Sequence, residues 1–112
     1  MNGFNKSRRL LTKSDYDYVF TQAQKVVTPH FIILYRDSAV GHARLGLALS
    51  KRMIAKAHDR NRLKRILREM FRTSSQLPAV DIIVLARSGV AKVDSAILMN
   101  KLGQAWNKLC DM

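Results

Sequence analysis

The chain has 112 residues, of which 20 are Lys or Arg and only 8 are Asp or Glu, so its formal net charge is +12. This length suits one domain with one modest hydrophobic core and excludes two independently folded units. Such an excess of positive charge is typical of nucleic-acid-binding proteins, because a compact basic domain repels itself until polyanions neutralise it. We therefore predict a single RNA-binding domain over residues 1–112, with a flexible segment at residues 1–7.

The sequence also indicates the compartment. No apolar stretch follows the basic amino terminus, as a secretory signal would require, and no run of residues has the length of a membrane span. Apolar residues are spread over several strand-like and helix-like segments, unlike those of a basic helix that lies on a membrane surface. The single cysteine, Cys110, cannot form an internal disulfide. We expect a cytoplasmic protein without a membrane partner.

The first half of the chain predicts one helix followed by two or three strands. Ser14 with Asp17 resembles a capping box, and the apolar spacing after it predicts a helix to about Gln24. The β-branched and aromatic stretch VVTPHFIILYRD predicts one long strand or two short ones. In ARLGLALS the leucines alternate with smaller or polar residues, which predicts one bulky face and one nearly bare face at Gly46 and Ala48. Something large should lie against the bare face.

The second half predicts a basic helix, a buried strand and a last helix. HDRNRLKRILREMFR has helical spacing, VDIIVLAR predicts a strand bounded by Gly89, and Asp94 or Ser95 begins an amphipathic helix. The strand, helix and strand from ARLGLALS to DIIVLAR predict a parallel pair in a mixed sheet. The predicted fold class is therefore α+β.

Two arcs divide the basic helix. The apolar arc, predicted to face the core, contains Leu63, Ile66, Leu67, Met70 and Phe71. The opposite arc contains Asn61, Arg62, Lys64, Arg65, Arg68 and Arg72. A solvated face normally mixes acids with bases, whereas only Glu69 interrupts this one, so an external anion is expected to compensate the like charges.

The start of the same helix also favours an anion. Arg60 and Arg62 are predicted in the first turn, where the helix dipole disfavours cations, with Asp59 as a plausible cap. A phosphate there would accept backbone N–H groups and guanidinium donors together. Lys51 and Arg52 lie just before the helix and extend the positive surface, although ordinary solvated cations explain them equally well.

Aromatic residues accompany this charge. Tyr16 and Phe20 lie one helical turn apart, and Phe31 and Tyr35 lie on the strand stretch. They would suit stacking on unpaired bases, but spacing alone favours core packing. RNA is favoured over DNA because of these aromatics and because no helix-turn-helix pair, zinc spacing or heptad repeat is present.

The sequence lacks the residue combinations of a nuclease site. The acids are scattered, and Asp15 and Asp17 point to different sides of a helix. The three histidines show no metal-ligand spacing with Cys110 or with one another, and no glycine-rich phosphate loop is present. We expect a binding protein without a protein active site.

The run SKRMIAKAHDRNRLKRILREMFR resembles the signature of the protein subunit of bacterial ribonuclease P. In that signature a Ser-Lys-Lys/Arg stretch leads into an Arg-Asn-Arg helix, followed by Lys-Arg and Arg-Glu. RLLT, DYDYVF, IILY, RLGLALS and DIIVLAR also stand in the family's order, so the resemblance covers almost the whole chain. It implies the order helix-strand-strand-strand-helix-strand-helix, a mixed four-stranded sheet and a left-handed strand-helix-strand crossover, whereas general rules predict a right-handed one.

The resemblance implies a function in tRNA processing. In the family, a large RNA subunit uses Mg²⁺ to hydrolyse the phosphodiester at the 5′ end of mature tRNA, which removes the 5′ leader of precursor tRNA. The implied partners are this RNA subunit and precursor tRNA, and the protein itself is not expected to bind a cofactor tightly. A ribosomal-type RNA-binding protein without catalytic turnover is the alternative, since it would share the charge and the fold class.

The resemblance also implies site residues. The contact with the RNA subunit corresponds to Arg60, Asn61, Arg62, Lys64, Arg65 and Arg68, with Lys51 and Arg52 at its approach. The family holds the single-stranded 5′ leader in a cleft between the first helix and the sheet. The corresponding residues here are Tyr16, Phe20 and Tyr35, and we add the nearby cation Arg9. Tyr16 stands where phenylalanine is common, so stacking should survive the difference.

Overall fold

A computed structural model describes residues 8–74 and 77–110, with Cys110 described by its backbone alone. The flexible segment predicted at residues 1–7 lies outside this part of the chain. The helices and strands are α1 (Lys13–Thr21), β1 (Gln24–Val27), β2 (Phe31–Asp37), β3 (Arg44–Ala48), α2 (Ala57–Thr73), β4 (Val80–Ala86) and α3 (Ser95–Cys110). A short 3-10 turn, Val90–Lys92, precedes α3. This order confirms the predicted α+β class, with three strands between the first two helices.

The four strands form one mixed sheet in the order β1-β2-β4-β3. β2 pairs antiparallel with both β1 and β4, whereas β3 runs parallel to β4. The predicted parallel pair is therefore confirmed, with α2 as the connection between its strands. The handedness of that crossover stays a prediction. β3 lies at a sheet edge, where the residues before α1 approach it, since the Leu10 N–H donates to the Leu45 carbonyl at 3.0 Å.

The sheet separates two hydrophobic clusters. The larger one lies between the sheet and helices α2 and α3, and the predicted apolar arc of α2 belongs to it, with Met70 only partly buried. The smaller one packs α1 on the other face around Leu10, Val19 and Ile83. Because neighbouring residues of a strand face opposite sides, the leucines of β3 join the larger cluster while Gly46 and Ala48 face α1.

The start of α1 differs from the prediction. Thr12 caps the helix, since its Oγ1 accepts the Asp15 N–H at 3.1 Å while Asp15 Oδ2 accepts the Thr12 N–H at 3.2 Å. The capping box predicted at Ser14 and Asp17 is thus wrong by two residues. The helix ends at Thr21 because Gln24 already begins β1.

The start of α2 also differs. The helix begins at Ala57, so Arg60 and Arg62 lie at its fourth and sixth residues and not in its first turn. Lys56 is the N-cap residue, without a side-chain cap, and Asp59 lies inside the first turn. The predicted cap at Asp59 is therefore wrong. Among the described residues, no helix is both long enough and apolar enough to cross a membrane.

Candidate nucleic-acid interface

One face of α2 carries an open basic groove of about 430 Å³, which we call the α2 groove. Its lining residues are Asn61, Lys64, Arg65, Arg68, Glu69 and Arg72. Arg72 forms an ion pair with Glu69, whereas Lys64, Arg65 and Arg68 form no ion pair with any described residue. Among the described residues, three neighbouring cations are therefore left without a carboxylate, as expected of a surface that binds an external anion.

Arg62 does not face the α2 groove, which corrects its predicted place on the basic arc. Its Nη1 donates to Ser95 Oγ at 2.8 Å and to the Val93 carbonyl at 3.2 Å, and its Nη2 donates to the Ala91 carbonyl at 3.0 Å. These acceptors lie in the 3-10 turn, in the segment after it and at the first residue of α3. Arg62 therefore ties the beginning of α3 to α2.

Arg60 is also bonded within the chain. Its Nη1 donates to the Ile54 carbonyl at 2.8 Å and to the Ala55 carbonyl at 3.2 Å, so it orders the segment that leads into α2. Asn61, between the two arginines, is exposed and lines the α2 groove. Lys51 and Arg52 are exposed in the turn after β3 and do not line this groove.

The bare face of β3 is covered by Tyr16. A Cβ atom added to Gly46 would lie 2.9 Å from Tyr16 Cζ and 2.9 Å from Leu10 Cδ1, so any larger residue would force one of these groups to shift. Tyr16 Oη accepts the Leu47 N–H at 3.1 Å, and the side chain is half-buried. Phe20, one turn later, is 47% exposed. The large group expected on the bare face is thus a side chain of the protein.

A second groove, of about 180 Å³, crosses the β3 edge of the sheet, and we call it the β3 groove. Its lining residues are Arg9, Leu10, Tyr16, Leu45, Leu47, Lys64 and Arg68. Tyr16 and Arg9, predicted for the leader, here meet Lys64 and Arg68, predicted for the RNA subunit. Because Lys64 and Arg68 line both grooves, the two predicted sites adjoin.

Tyr35 lies on the opposite face of the sheet from α1, which corrects its predicted place in the cleft. Its side chain is only 9% exposed and belongs to the larger cluster with Phe31 and Ile33. Its hydroxyl donates to Gln24 Oε1 at 2.9 Å. Leu34, the preceding residue, is the one that packs towards α1. A shift of one residue along a strand moves a side chain to the other face.

A buried ion pair beneath α1 was not predicted from the sequence. Arg44 Nε donates to Asp81 Oδ1 at 2.9 Å, and Arg44 Nη2 donates to Asp81 Oδ2 at 2.7 Å. These hydrogen bonds raise the pKa of Arg44. Asp81 is 0% exposed and is the one charged residue of the apolar strand β4. A single charge within an apolar strand is the sequence signal that would have indicated a buried partner.

Within the described part of the chain, no three His, Cys, Asp or Glu residues are grouped to hold a metal ion.

Comparisons with known proteins agree with one another. A family model described as Ribonuclease P matches residues 4–110. The chain is 58% identical over 109 residues to the ribonuclease P protein component of Legionella pneumophila (strain Corby), covering 97% of this chain and 95% of that protein. It is 43% identical over 108 residues to that of Escherichia coli O157:H7, covering 96% and 91%.

Solved structures give the same result. The RNase P protein of Staphylococcus aureus matches with a TM-score of 0.83 and 28% identity, covering 91% of this chain and 94% of that one. The RNase P protein of Thermotoga maritima matches with a TM-score of 0.77 and 29% identity, covering 93% and 96%. The similarity therefore extends over nearly the full length of each chain.

Proposed function

Because the chain belongs to the family of ribonuclease P proteins, we propose that it binds a catalytic RNA subunit and the single-stranded 5′ leader of precursor tRNA. Membership makes it the protein component of an endoribonuclease. In the proposed division of labour, the RNA subunit hydrolyses the phosphodiester with Mg²⁺. The protein has no active site of its own and aids substrate recognition and metal use.

The observation that carries this proposal is the meeting of the two grooves at Lys64 and Arg68. Phosphates are bound by cations, and the α2 groove offers Lys64, Arg65 and Arg68, which form no ion pair with any described residue. Unpaired bases need an aromatic face, and Tyr16 lines the β3 groove beside two of these cations. A single strand that follows the β3 groove would thus contact both kinds of group.

We assign the contacts accordingly. The RNA subunit is proposed to bind Asn61, Lys64, Arg65 and Arg68, with Lys51 and Arg52 at its approach, and Arg60 and Arg62 support this surface through their bonds to carbonyls. The 5′ leader is proposed to bind Arg9, Tyr16 and the exposed Phe20. Tyr35 is not included, since its side chain packs in the larger cluster.

Family membership favours this function over the ribosomal-type alternative. Both would use a basic α+β domain, but the match to the ribonuclease P model covers residues 4–110. The RNA that copurifies with the chain distinguishes them, because the alternative requires ribosomal RNA and the proposal requires one large noncoding RNA.

The direct test is reconstitution. The purified chain is mixed with a bacterial ribonuclease P RNA, and cleavage of precursor tRNA is measured at low Mg²⁺, with each component alone as a control. We expect cleavage with the mixture and none with the protein alone. If the mixture cleaves no faster than the RNA alone, the proposed function is wrong.

A further inference from the structure

The buried pair of Arg44 and Asp81 calls for an explanation other than stability. The two residues are direct partners in the parallel register of β3 and β4, and they are 9% and 0% exposed. Removing two charges from water costs several kcal/mol, so an apolar pair of similar size is often at least as stable. The best-attested use of a buried charge is to fix one arrangement among several.

Arg44 has a third contact, and it leads to α1. Its Nη1 lies 3.4 Å from Asp15 Oδ1, while Asp15 Oδ2 accepts the N–H groups of Leu11 at 3.0 Å and Thr12 at 3.2 Å. One carboxylate thus joins the capping box of α1 to a charge that is fixed in the sheet. Hydrogen bonds from Leu11 and Thr12, together with the charge of Arg44, outweigh partial burial and lower the pKa of Asp15.

The next residue after Asp15 is Tyr16, whose ring contacts Gly46 on the same strand as Arg44. Val19 is the one residue of α1 that is fully buried, so apolar packing holds this helix weakly compared with α2, which buries four. The ion pair of Asp15 with Arg44 joins the start of α1 directly to the sheet, and it acts beside this limited apolar packing. Because Asp15 and Tyr16 are neighbours in the chain, the position of the helix start also determines the position of the Tyr16 ring.

We propose that Arg44 is a positioning residue: through Asp15 it sets the Tyr16 ring on the wall of the β3 groove, and so sets the preference for substrates that carry a 5′ leader. Arg44 itself does not touch the leader. The inference rests on the proposed function, since it assumes that the leader occupies the β3 groove.

The test uses Asp15→Asn in the holoenzyme reconstituted with the RNA subunit. An asparagine keeps an oxygen that accepts N–H groups at the helix start, so α1 remains capped while the charge facing Arg44 is removed. Affinity is measured for precursor tRNA with a leader, for mature tRNA and for the RNA subunit. We expect the preference for leader-containing substrate to fall about fivefold, near the lower end of typical couplings between sites, with affinity for the RNA subunit unchanged.

Two variants accompany this measurement. Asp17→Asn removes an equal charge from the same helix, at an exposed carboxylate paired only with Lys13 among the described residues, and it should leave the preference unchanged. Asp15→Glu restores the carboxylate at a position of the capping box that favours glutamate, and it should restore most of the preference.

Each outcome has one meaning. If Asp15→Asn lowers stability but keeps the preference of the unmodified protein, the contact is structural only and the inference is wrong. Equal losses with Asp17→Asn would trace the effect to net charge and would also overturn it. If the unmodified holoenzyme binds both substrates equally, the proposed leader site is wrong and the inference falls with it.

Discussion

At Gly46 the sheet packs closely against α1 and the segment before it. A methyl group there would lie 2.9 Å from both Tyr16 Cζ and Leu10 Cδ1, so Gly46→Ala must displace the tyrosine, the leucine or the strand. We expect a loss of about 1–3 kcal/mol in the free energy of unfolding, as for other overpacked sites. Urea denaturation measures it.

Gly103 provides the matched control. It lies within α3, where an added Cβ would meet Met70 Cε at the ordinary distance of 3.8 Å. Alanine is the better helix former, so Gly103→Ala should stabilise the protein by about 0.5–1 kcal/mol. Equal effects at both glycines would contradict the packing of Tyr16 on β3.

Asp15 makes the stability of the protein depend on pH in one direction. Its pKa lies below the ordinary value of 3.8, chiefly because of the hydrogen bond from the Leu11 N–H. A carboxyl whose pKa is lowered by folding stabilises the protein above its unfolded pKa, and this stabilisation is lost as the pH falls through the folded pKa. Asp15→Asn should thus lower the unfolding free energy at neutral pH, and the difference should vanish in acid.

Urea denaturation of both proteins across this acid range checks the pH dependence. A difference that stays constant as Asp15 becomes protonated would show that the charge of its carboxylate does not stabilise the fold.

Single side chains show which features the sequence could predict. The alternation in β3 predicted that Gly46 and Ala48 share a bare face, because the period of a strand is two. It did not place Tyr35, since the run FIILY in β2 is apolar at every position and so gives no signal for which side faces α1. The buried partner of Asp81 was missed because Arg44 is 37 residues away in the chain.

At the scale of elements, Arg62 joins α2 to the beginning of α3. Replacing it with alanine removes its hydrogen bonds to Ala91, Val93 and Ser95. Buried or half-buried acceptors without a donor cost about 1–3 kcal/mol in total, so we expect Arg62→Ala to lower the free energy of unfolding by that amount. Affinity for the RNA subunit, extrapolated to fully folded protein, should change little.

Arg65→Ala is the natural comparison, since Arg65 is exposed, lines the α2 groove and forms no ion pair with a described residue. Arg65→Ala should keep the free energy of unfolding within about 0.5 kcal/mol of that of the unmodified protein, and it should weaken RNA binding. If Arg62→Ala instead weakens binding without loss of stability, its guanidinium is a direct RNA contact and not a tie between helices.

The elements themselves were predicted better than their ends. The apolar arc of α2 and the parallel pairing of β3 with β4 followed from periodicity and from the strand-helix-strand order. The predicted helix starts were wrong by two or three residues. Several neighbouring polar residues are equally plausible caps in the sequence, and only the backbone geometry decides which of them caps the helix. The place of β4 between β2 and β3 depends on long-range pairing, for which local patterns carry no signal.

For the whole molecule, the question is whether RNA binding follows from the net charge of +12 or from the place of particular cations. Two double variants remove equal charge from different surfaces. Lys64→Ala with Arg68→Ala removes the two cations that line both the α2 groove and the β3 groove. Lys101→Ala with Lys108→Ala removes two lysines of α3 that lie beside β1, away from both grooves.

The salt dependence of RNA-subunit affinity separates the two explanations. Each phosphate contact that is lost reduces the slope of log affinity against log salt concentration by about 0.7–0.9, because fewer counterions are released. The groove variant should therefore lower the slope by roughly 1.5. The α3 variant should leave it nearly unchanged, since long-range attraction between exposed charges is screened beyond about 10 Å. Equal changes in both variants would mean that net charge, and not the α2 groove, determines binding.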